Sequence, residues 1–331
     1  MRYSDLMNSL HPDTVLRAAE TLDSIAHRTP IFTSRTLDDR FGAKFFFKGE
    51  HLQRCGAFKF RGAYYAISRL NPDERARGVI TFSSGNHASG MALGGALLGA
   101  PVTVAMPTNT APIKRKAAAG YGAELVDCEA SEREAVGERI AKERGLTVIP
   151  PYDHDDVIAG QGTAALELLE DQPDLDLLLT PLGGGGLLAG TCLAAQAGIG
   201  EGPPPNVIGV EPEVADDGAR SFHSGRIVRL ETVPETIADG LRTRYVGERN
   251  FAVFSQRLTD VVTVSEAAIG SALAHLWLRM KLLTEPSAAV PLAAILEGKI
   301  DVRGRRVGII LSGGNCDPRA AAELIDRAVS L

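Results

Sequence analysis

The chain has 331 residues, long enough for about two domains and a sizeable buried core. Lys and Arg total 35 against 41 Asp and Glu, a net charge of −6 at pH 7, so the basic surface that phosphate-backbone binding needs is missing and nucleic acid is excluded as a main partner. Hydrophobic residues at 44% and charged residues at 23% exclude a disordered chain, while the 35 glycines cluster in a few turns and point to sites built from backbone.

Met1 to Leu10 shows no positive segment followed by an apolar run, so no secretory signal is expected. No stretch reaches the ~18 apolar residues of a membrane span, so no membrane partner is expected either. Short apolar runs then alternate with amphipathic segments. Strands are predicted at Phe45 to Lys48, Gly78 to Phe82, Val102 to Met106 and Ala123 to Val126. Helices are predicted through Met91 to Leu98 and around Ile113, Lys116 and Ala117. Four more strands follow at Leu175 to Leu182, Val207 to Val210, Val261 to Val264 and Val307 to Leu311. Between them, Gly200 to Asn206 reads as a proline-rich loop.

Ser265 to Leu283 carries apolar residues at Ile269, Leu273, Leu276, Met280 and Leu283, a helical spacing. Ser265 is its expected N-cap and Glu285-Pro286 its expected stop. Strands separated by helices predict a parallel α/β architecture. Two sheets are expected, one with the Val79, Val102 and Leu125 strands and one with the strands after residue 150. The double proline Pro150-Pro151 marks the expected boundary. Cys55, Cys128, Cys192 and Cys316 form no Cys-x-x-Cys pair, which predicts four reduced thiols in a cytoplasmic protein.

Three glycine-bearing turns each follow an apolar strand, where an open α/β sheet binds its ligands. Gly183-Gly184-Gly185-Gly186 precedes a helix through Leu187, so that backbone N–H groups and the helix dipole can cup a phosphate. The same loop, read as Gly184-x-Gly186-x-x-Ala189 with Glu211 about twenty residues on, also mimics a dinucleotide fingerprint and keeps an NAD-dependent oxidoreductase open. Ser83-Ser84-Gly85-Asn86-His87 gathers hydroxyls, an amide and an imidazole at a helix start, a set suited to a carboxylate. Leu311-Ser312-Gly313-Gly314-Asn315 is the third turn. Lys59 lies among Ala57, Phe58 and Phe60, and an apolar setting makes a lysine a Schiff-base former, although a lysine extending off an apolar helix face reads equally well from this segment alone.

Taken in order, Gly-Ala-Phe-Lys-Phe-Arg-Gly-Ala at 56–63, Ser-Ser-Gly-Asn-His at 83–87, Gly-Gly-Gly-Gly-Leu at 183–187 and Ser-Gly-Gly-Asn at 312–315 resemble the fold-type II pyridoxal-phosphate enzymes. The likeness lies with the threonine/serine dehydratase, serine racemase and 3-hydroxyaspartate dehydratase group, covers nearly the whole chain and displaces the NAD reading. It implies a two-domain, tryptophan synthase β-like fold, each domain an open, mostly parallel sheet flanked by helices. Residues 1–77 plus 153–331 would form the large domain and 78–152 a small mobile one.

The resemblance also implies roles. Lys59 carries pyridoxal phosphate and then acts as the base at Cα. Gly183, Gly184, Gly185, Gly186 and Leu187 hold its phosphate. Phe58 packs on the ring, Asn86 bonds its 3-hydroxyl, and Ser312 faces the ring nitrogen. Ser83, Ser84, Asn86 and His87 clasp the substrate carboxylate, and Ser84 matches the racemases' second acid/base. Glu211, Asp217 and the Ala215 carbonyl match a site for Mg²⁺ or, alternatively, Ca²⁺ or Mn²⁺, which suits hard oxygen donors. Arg242, Thr243 and Arg244 lie in the loop that approaches the substrate side chain, where arginines would suit a β-carboxylate. The implied reaction is α,β-elimination from a 3-hydroxy amino acid, L-threonine or L-serine first, 3-hydroxyaspartate second, serine racemisation third. A homodimer is expected.

Overall fold

A computed structural model describes residues 10–83, 85–110 and 112–329 of the chain. Two sheets organise it. The larger has six strands in the order β1 (Ile31–Phe32), β2 (Lys44–Lys48), β10 (Arg306–Ile310), β7 (Leu177–Pro181), β8 (Asn206–Pro212) and β9 (Asp260–Val264). Only the β1–β2 pair is antiparallel. The smaller sheet is parallel, in the order β5 (Glu124–Cys128), β4 (Val102–Pro107), β3 (Val79–Phe82) and β6 (Thr147–Val148).

The strands of the large sheet are apolar on both faces because both faces are covered. Leu177, Leu179, Val307 and Ile309 point into one core, with Phe45, Phe47 and the Glu266–Leu278 and Pro286–Leu296 helices. Leu178 and Ile310 point into the other, with Ile158, Leu166 and Leu188. This is the period-two alternation of a strand feeding two layers. The small sheet is flanked more lightly, by Ile67, Val102, Val104 and Met106 on one side and Ile80, Ile140 and Ala141 on the other.

Three expectations need correction. The large sheet is not confined to strands after residue 150. β2 pairs with β10 in the register Phe45↔Val307 and Phe47↔Ile309, so the N-terminal strand closes on the C-terminal one. β1 and β6 are unpredicted, each only two residues and too short to carry periodicity. The helix capped by Ser265, whose hydroxyl accepts from the Ala268 N–H at 3.1 Å, ends at Leu278 rather than running on to Leu283. Lys281 turns the chain at φ +61, and Pro286 opens the following helix. Proline suits a first helical turn, where its missing N–H is not needed.

Among the described residues no helix is long and apolar enough to cross a membrane. The four cysteines are free.

Candidate active site

Each chemistry-bearing loop follows the carboxyl end of a parallel strand. β7 runs into Gly183–Gly186, β10 into Ser312–Asn315, and β3 into Ser83–Asn86. Ser84 lies outside the described residues.

Lys59 is the first residue of the Lys59–Ser68 helix. The backbone before it is tied to the β10 loop. The Phe58 N–H donates to the Ser312 carbonyl at 3.0 Å, and Ala57 bridges Gly313. Gly90 permits the neighbouring helix to approach, since a Cβ there would lie 3.2 Å from the Lys59 backbone. The ammonium of Lys59 donates to the Pro151 carbonyl at 2.6 Å and lies 5.2 Å from the Phe58 ring centroid. Burial pulls its pKa down to about 8, with Glu285 opposing.

Two residues on, Arg61 is wholly buried and fixes the helix from beneath. Its guanidinium grips Glu50 at 2.7 and 2.8 Å and Glu167 at 2.7 and 2.9 Å. Lys48, also fully buried, donates to Glu167 and to the Thr29 carbonyl. Burial would raise the Glu50 carboxyl, but Arg61 holds it below its ordinary value.

The glycine loop is built by exclusion. A Cβ at Gly184 would sit 2.3 Å from the Tyr152 ring, one at Gly185 2.9 Å from Asn250, and one at Gly183 3.2 Å from the Leu241 backbone. Gly185 is also left-handed at φ +97. Asn250 donates to the Gly184 carbonyl at 2.7 Å. The loop opens onto the N-terminus of the Gly186–Ala195 helix, whose Leu187 is buried. The arrangement leaves a loop free of side chains at a helix N-terminus, the geometry that favours an anion.

Across from it, Asn86 and His87 begin the Asn86–Leu98 helix, and the Gly85 N–H donates to Ser83. Burial and the neighbouring Lys59 push the His87 imidazole down to about 3, so it is neutral, and its Nδ1 is buried without a partner. Asn86 donates to both oxygens of Glu285, at 2.9 and 3.1 Å, and accepts from Asn315 at 3.0 Å. Burial, with Asp239 adding, raises Glu285 to about 7.

Glu285 is the residue that sequence reasoning misses, because it reads there only as a helix stop. The available signal is an acid at the N-cap position before Pro286, isolated between apolar runs. Tyr152, the wall of the glycine loop, likewise has no role in the sequence reading.

In the loop approaching from the large side, the Arg242 guanidinium donates to the Thr236 carbonyl and that of Arg244 to the Leu230 carbonyl. The Thr243 hydroxyl is buried without a partner. Asp239 of this loop pairs with Lys114 from the Pro112–Gly120 helix. Lys114, Gly85, Asn86, Tyr121, Asn315 and Cys316 are among the residues lining a cavity of about 340 Å³.

Apart from this cleft, Glu211 is the last residue but one of β8, Ala215 lies in the following turn and Asp217 opens the Asp217–Ser224 helix. Both carboxylates are buried. Glu211 accepts from the Ala219 N–H at 2.6 Å, whereas Asp217 Oδ2 has no partner. Burial raises both, Asp217 to about 7. Among the described residues no three His, Cys, Asp or Glu side chains gather as a metal cluster, so a cation here would need carbonyl oxygen as well.

Comparison with known proteins agrees with this geometry. A family model described as pyridoxal-phosphate dependent enzyme matches residues 22–313. An L-threo-3-hydroxyaspartate ammonia-lyase of Saccharomyces cerevisiae is 48% identical over 94% of this chain and 95% of its own. A serine racemase of Schizosaccharomyces pombe is 43% identical over 95% of this chain and 97% of its own. The crystal structure of a T.th. threonine deaminase superposes with a TM-score of 0.87 at 43% identity, covering 92% of this chain and 98% of that one.

Proposed function

The chain belongs to the pyridoxal-phosphate dependent enzymes, and from that premise we propose that it is an ammonia-lyase that eliminates water from L-threo-3-hydroxyaspartate. Loss of the β-hydroxyl as water leaves an enamine, whose hydrolysis takes up one water and gives ammonia and the four-carbon 2-oxo diacid, oxaloacetate. The observation that carries the reaction is Lys59, a desolvated amine with its pKa drawn to about 8, held beside a phosphate cup. The substrate choice is supported by the ammonia-lyase relative at 48% identity.

The residues fit the cofactor. Gly183–Gly186 and Leu187 would hold its phosphate where side chains are excluded. Phe58 would pack on its ring, Asn86 would meet its hydroxyl, and Ser312 would face its ring nitrogen. When bound, the cofactor supplies a sink for the charge that develops at Cα. Lys59, once freed by substrate, takes the Cα proton, and a pKa near neutrality suits a general base. Ser83 and the N–H groups that open the Asn86–Leu98 helix would orient the α-carboxylate, while neutral His87, whose Nε2–H donates to the Ile149 carbonyl and whose Nδ1 is therefore an acceptor, would shape the pocket without adding charge. Thr243 offers its partnerless hydroxyl to the substrate. Asn86 is itself held by Glu285 and Asn315, so its direction is fixed before substrate arrives.

The orphaned Asp217 oxygen beside Glu211 fits a divalent cation, with the Ala215 carbonyl as a further ligand. The site lies outside the cleft and would brace the start of the Asp217–Ser224 helix.

The test is oxo-acid and ammonia release from pyridoxal-loaded protein, offered L-threonine, both serine enantiomers and the four 3-hydroxyaspartate isomers. Turnover should be fastest on the L-threo isomer and absent in Lys59→Ala. L-Threonine or L-serine, first in the sequence reading, becomes the second reading. It is favoured by the two arginines whose guanidiniums are already engaged by carbonyls. Faster turnover of either would reverse the order.

A further inference from the structure

The carbonyl of Gly184 takes two donors. The Gly247 N–H reaches it at 3.0 Å and the Asn250 side-chain amide at 2.7 Å. Neither belongs to the glycine loop. Both stand at the start of the Glu248–Arg257 helix, Asn250 lying 66 residues further along the chain.

That helix start is itself pinned. Asp153 accepts the Glu248 N–H at 3.1 Å and the Arg249 N–H at 2.9 Å. A Cβ at Gly247 would lie 2.6 Å from the same carboxylate, so the backbone there passes close against it. Phe251 and Phe254 anchor the next turn in the core, edge to face with centroids 5.5 Å apart. Asn250 is wholly buried between these fixed points. Its amide can face the loop in one sense only, because Gly184 offers an acceptor and a turned amide would set oxygen against oxygen. The same nitrogen lies 3.4 Å from the Tyr152 carbonyl, while Oδ1 is buried without a partner. An orphaned acceptor costs stability, so the donor end is what this position uses.

The consequence lies across the peptide plane. A trans peptide points its carbonyl and its N–H to opposite sides. Two donors on the Gly184 carbonyl therefore turn the Gly185 N–H away from Asn250. Gly185 then takes φ +97 and leads into the Gly186–Ala195 helix without a side-chain cap, which leaves the first-turn N–H groups of that helix open. We propose that Asn250 is a positioning residue for the cofactor phosphate: by holding the Gly184 carbonyl it aims the Gly185 N–H at the phosphate, beside the open N–H groups of the helix start. The inference rests on the placing of the phosphate at Gly183–Gly186 above and is independent of which substrate is turned over. A run of four glycines has little of its own to resist rotation of that peptide, so the restraint comes from outside the loop.

The experiment uses the full chain and the variants Asn250→Ala and Asn250→Leu. Dissociation constants are measured on cofactor-stripped protein, by absorbance, for pyridoxal phosphate and for pyridoxal, the same ring without the phosphate. The phosphorus NMR resonance of the bound cofactor is recorded on the holoenzymes. Each variant should lose about 30-fold on pyridoxal phosphate and about threefold or less on pyridoxal, and its phosphorus resonance should move toward that of free cofactor. Leucine keeps roughly the volume of asparagine and alanine adds no bulk. Should Asn250→Leu fail to fold, Asn250→Ala decides by the same ratio. Equal losses on both ligands would make the side chain merely structural and overturn the proposal, as would an unchanged affinity for pyridoxal phosphate. The two readings fail separately. If wild-type protein binds pyridoxal as tightly as pyridoxal phosphate, the placing of the phosphate at the glycine loop falls, and this proposal with it. If wild type prefers the phosphorylated form and both variants keep the full preference, the placing stands and the role of Asn250 alone falls.

Discussion

The two walls of the cleft are held in different ways. On the large-sheet wall, main chain meets main chain. The Phe58 N–H meets the Ser312 carbonyl, the Gly314 N–H the Gly56 carbonyl, and the Gly247 N–H the Gly184 carbonyl. The contacts from the small-sheet wall across the cleft run through side chains, Asn86 to Glu285 and Lys114 to Asp239. Main-chain ties are set once, at folding. Side-chain ties can exchange partners. The large-sheet side is therefore built as a fixed mould, and the small-sheet side, the proposed cover, is held by ties that can exchange.

That contrast breaks first at Arg61, if it breaks. Arg61→Met leaves the buried Glu50 and the partly buried Glu167 with only Lys48 to answer two carboxylates, and should cost about 3–5 kcal/mol in urea unfolding. The sign with pH follows from Glu50. Its folded-state pKa lies below the ordinary 4.5, so its stabilisation is present above that value and is lost as pH falls. The variant should therefore lose part of the wild type's decline on acidification. A cost below about 1 kcal/mol would mean that the mould is not rigid at its base.

Gly184→Ala tests the mould at its surface. The new methyl meets the body of the Tyr152 ring, so cofactor affinity should fall about 100-fold, read by equilibrium dialysis of the pyridoxal absorbance. Gly120→Ala on the small-sheet side is the control. Nothing lies within 4 Å of its added Cβ, and stability should move by about 0.5 kcal/mol or less.

Asp217→Asn sharpens the picture outside the cleft. If Mg²⁺ binds between Glu211 and Asp217, chelator should lower the wild-type unfolding free energy by about 2–3 kcal/mol at cation levels near a hundredfold above Kd. The variant should show no chelator response. An identical response in both proteins would remove the cation from this turn.

What was legible in the sequence divides along the same line. The glycine loop could be singled out because a backbone-built turn demands particular residues at fixed spacings, whereas Lys59 and Ser312 drew their expected roles only from the resemblance of the motifs taken in order. Four successive glycines have few other uses. The long parallel strands were legible because burial on both faces writes an unbroken apolar run. Glu285 was not legible. Its role depends on meeting Asn86, 199 residues away in the chain, and no local pattern encodes that. Lys114 was hidden for the same reason, since its partner lies 125 residues on. β2 joined the large sheet through β10, a pairing of chain ends that periodicity cannot express. Arg61 was quoted within a motif, but its burial and its two carboxylates are tertiary facts.

The smallest effect belongs to the outer rim of the small sheet. Arg144 pairs with Glu124 at 2.7 and 3.0 Å, distances as short as those around Arg61. Yet both side chains are about half exposed, at 47% and 52%. Water and salt screen such a pair, and two long side chains give up freedom to hold it. Arg144 lowers the Glu124 carboxyl below its ordinary 4.5, so the pair's contribution is present above that pH and fades as pH falls through the lowered value. Arg144→Ala should therefore cost about 0.5 kcal/mol or less at pH 7, and nothing measurable in ~1 M salt. A salt-independent loss above about 1.5 kcal/mol would mean that the small sheet rests on its surface charges as the Lys59 helix rests on Arg61, and the distinction between mould and cover would fail where it predicts the most freedom.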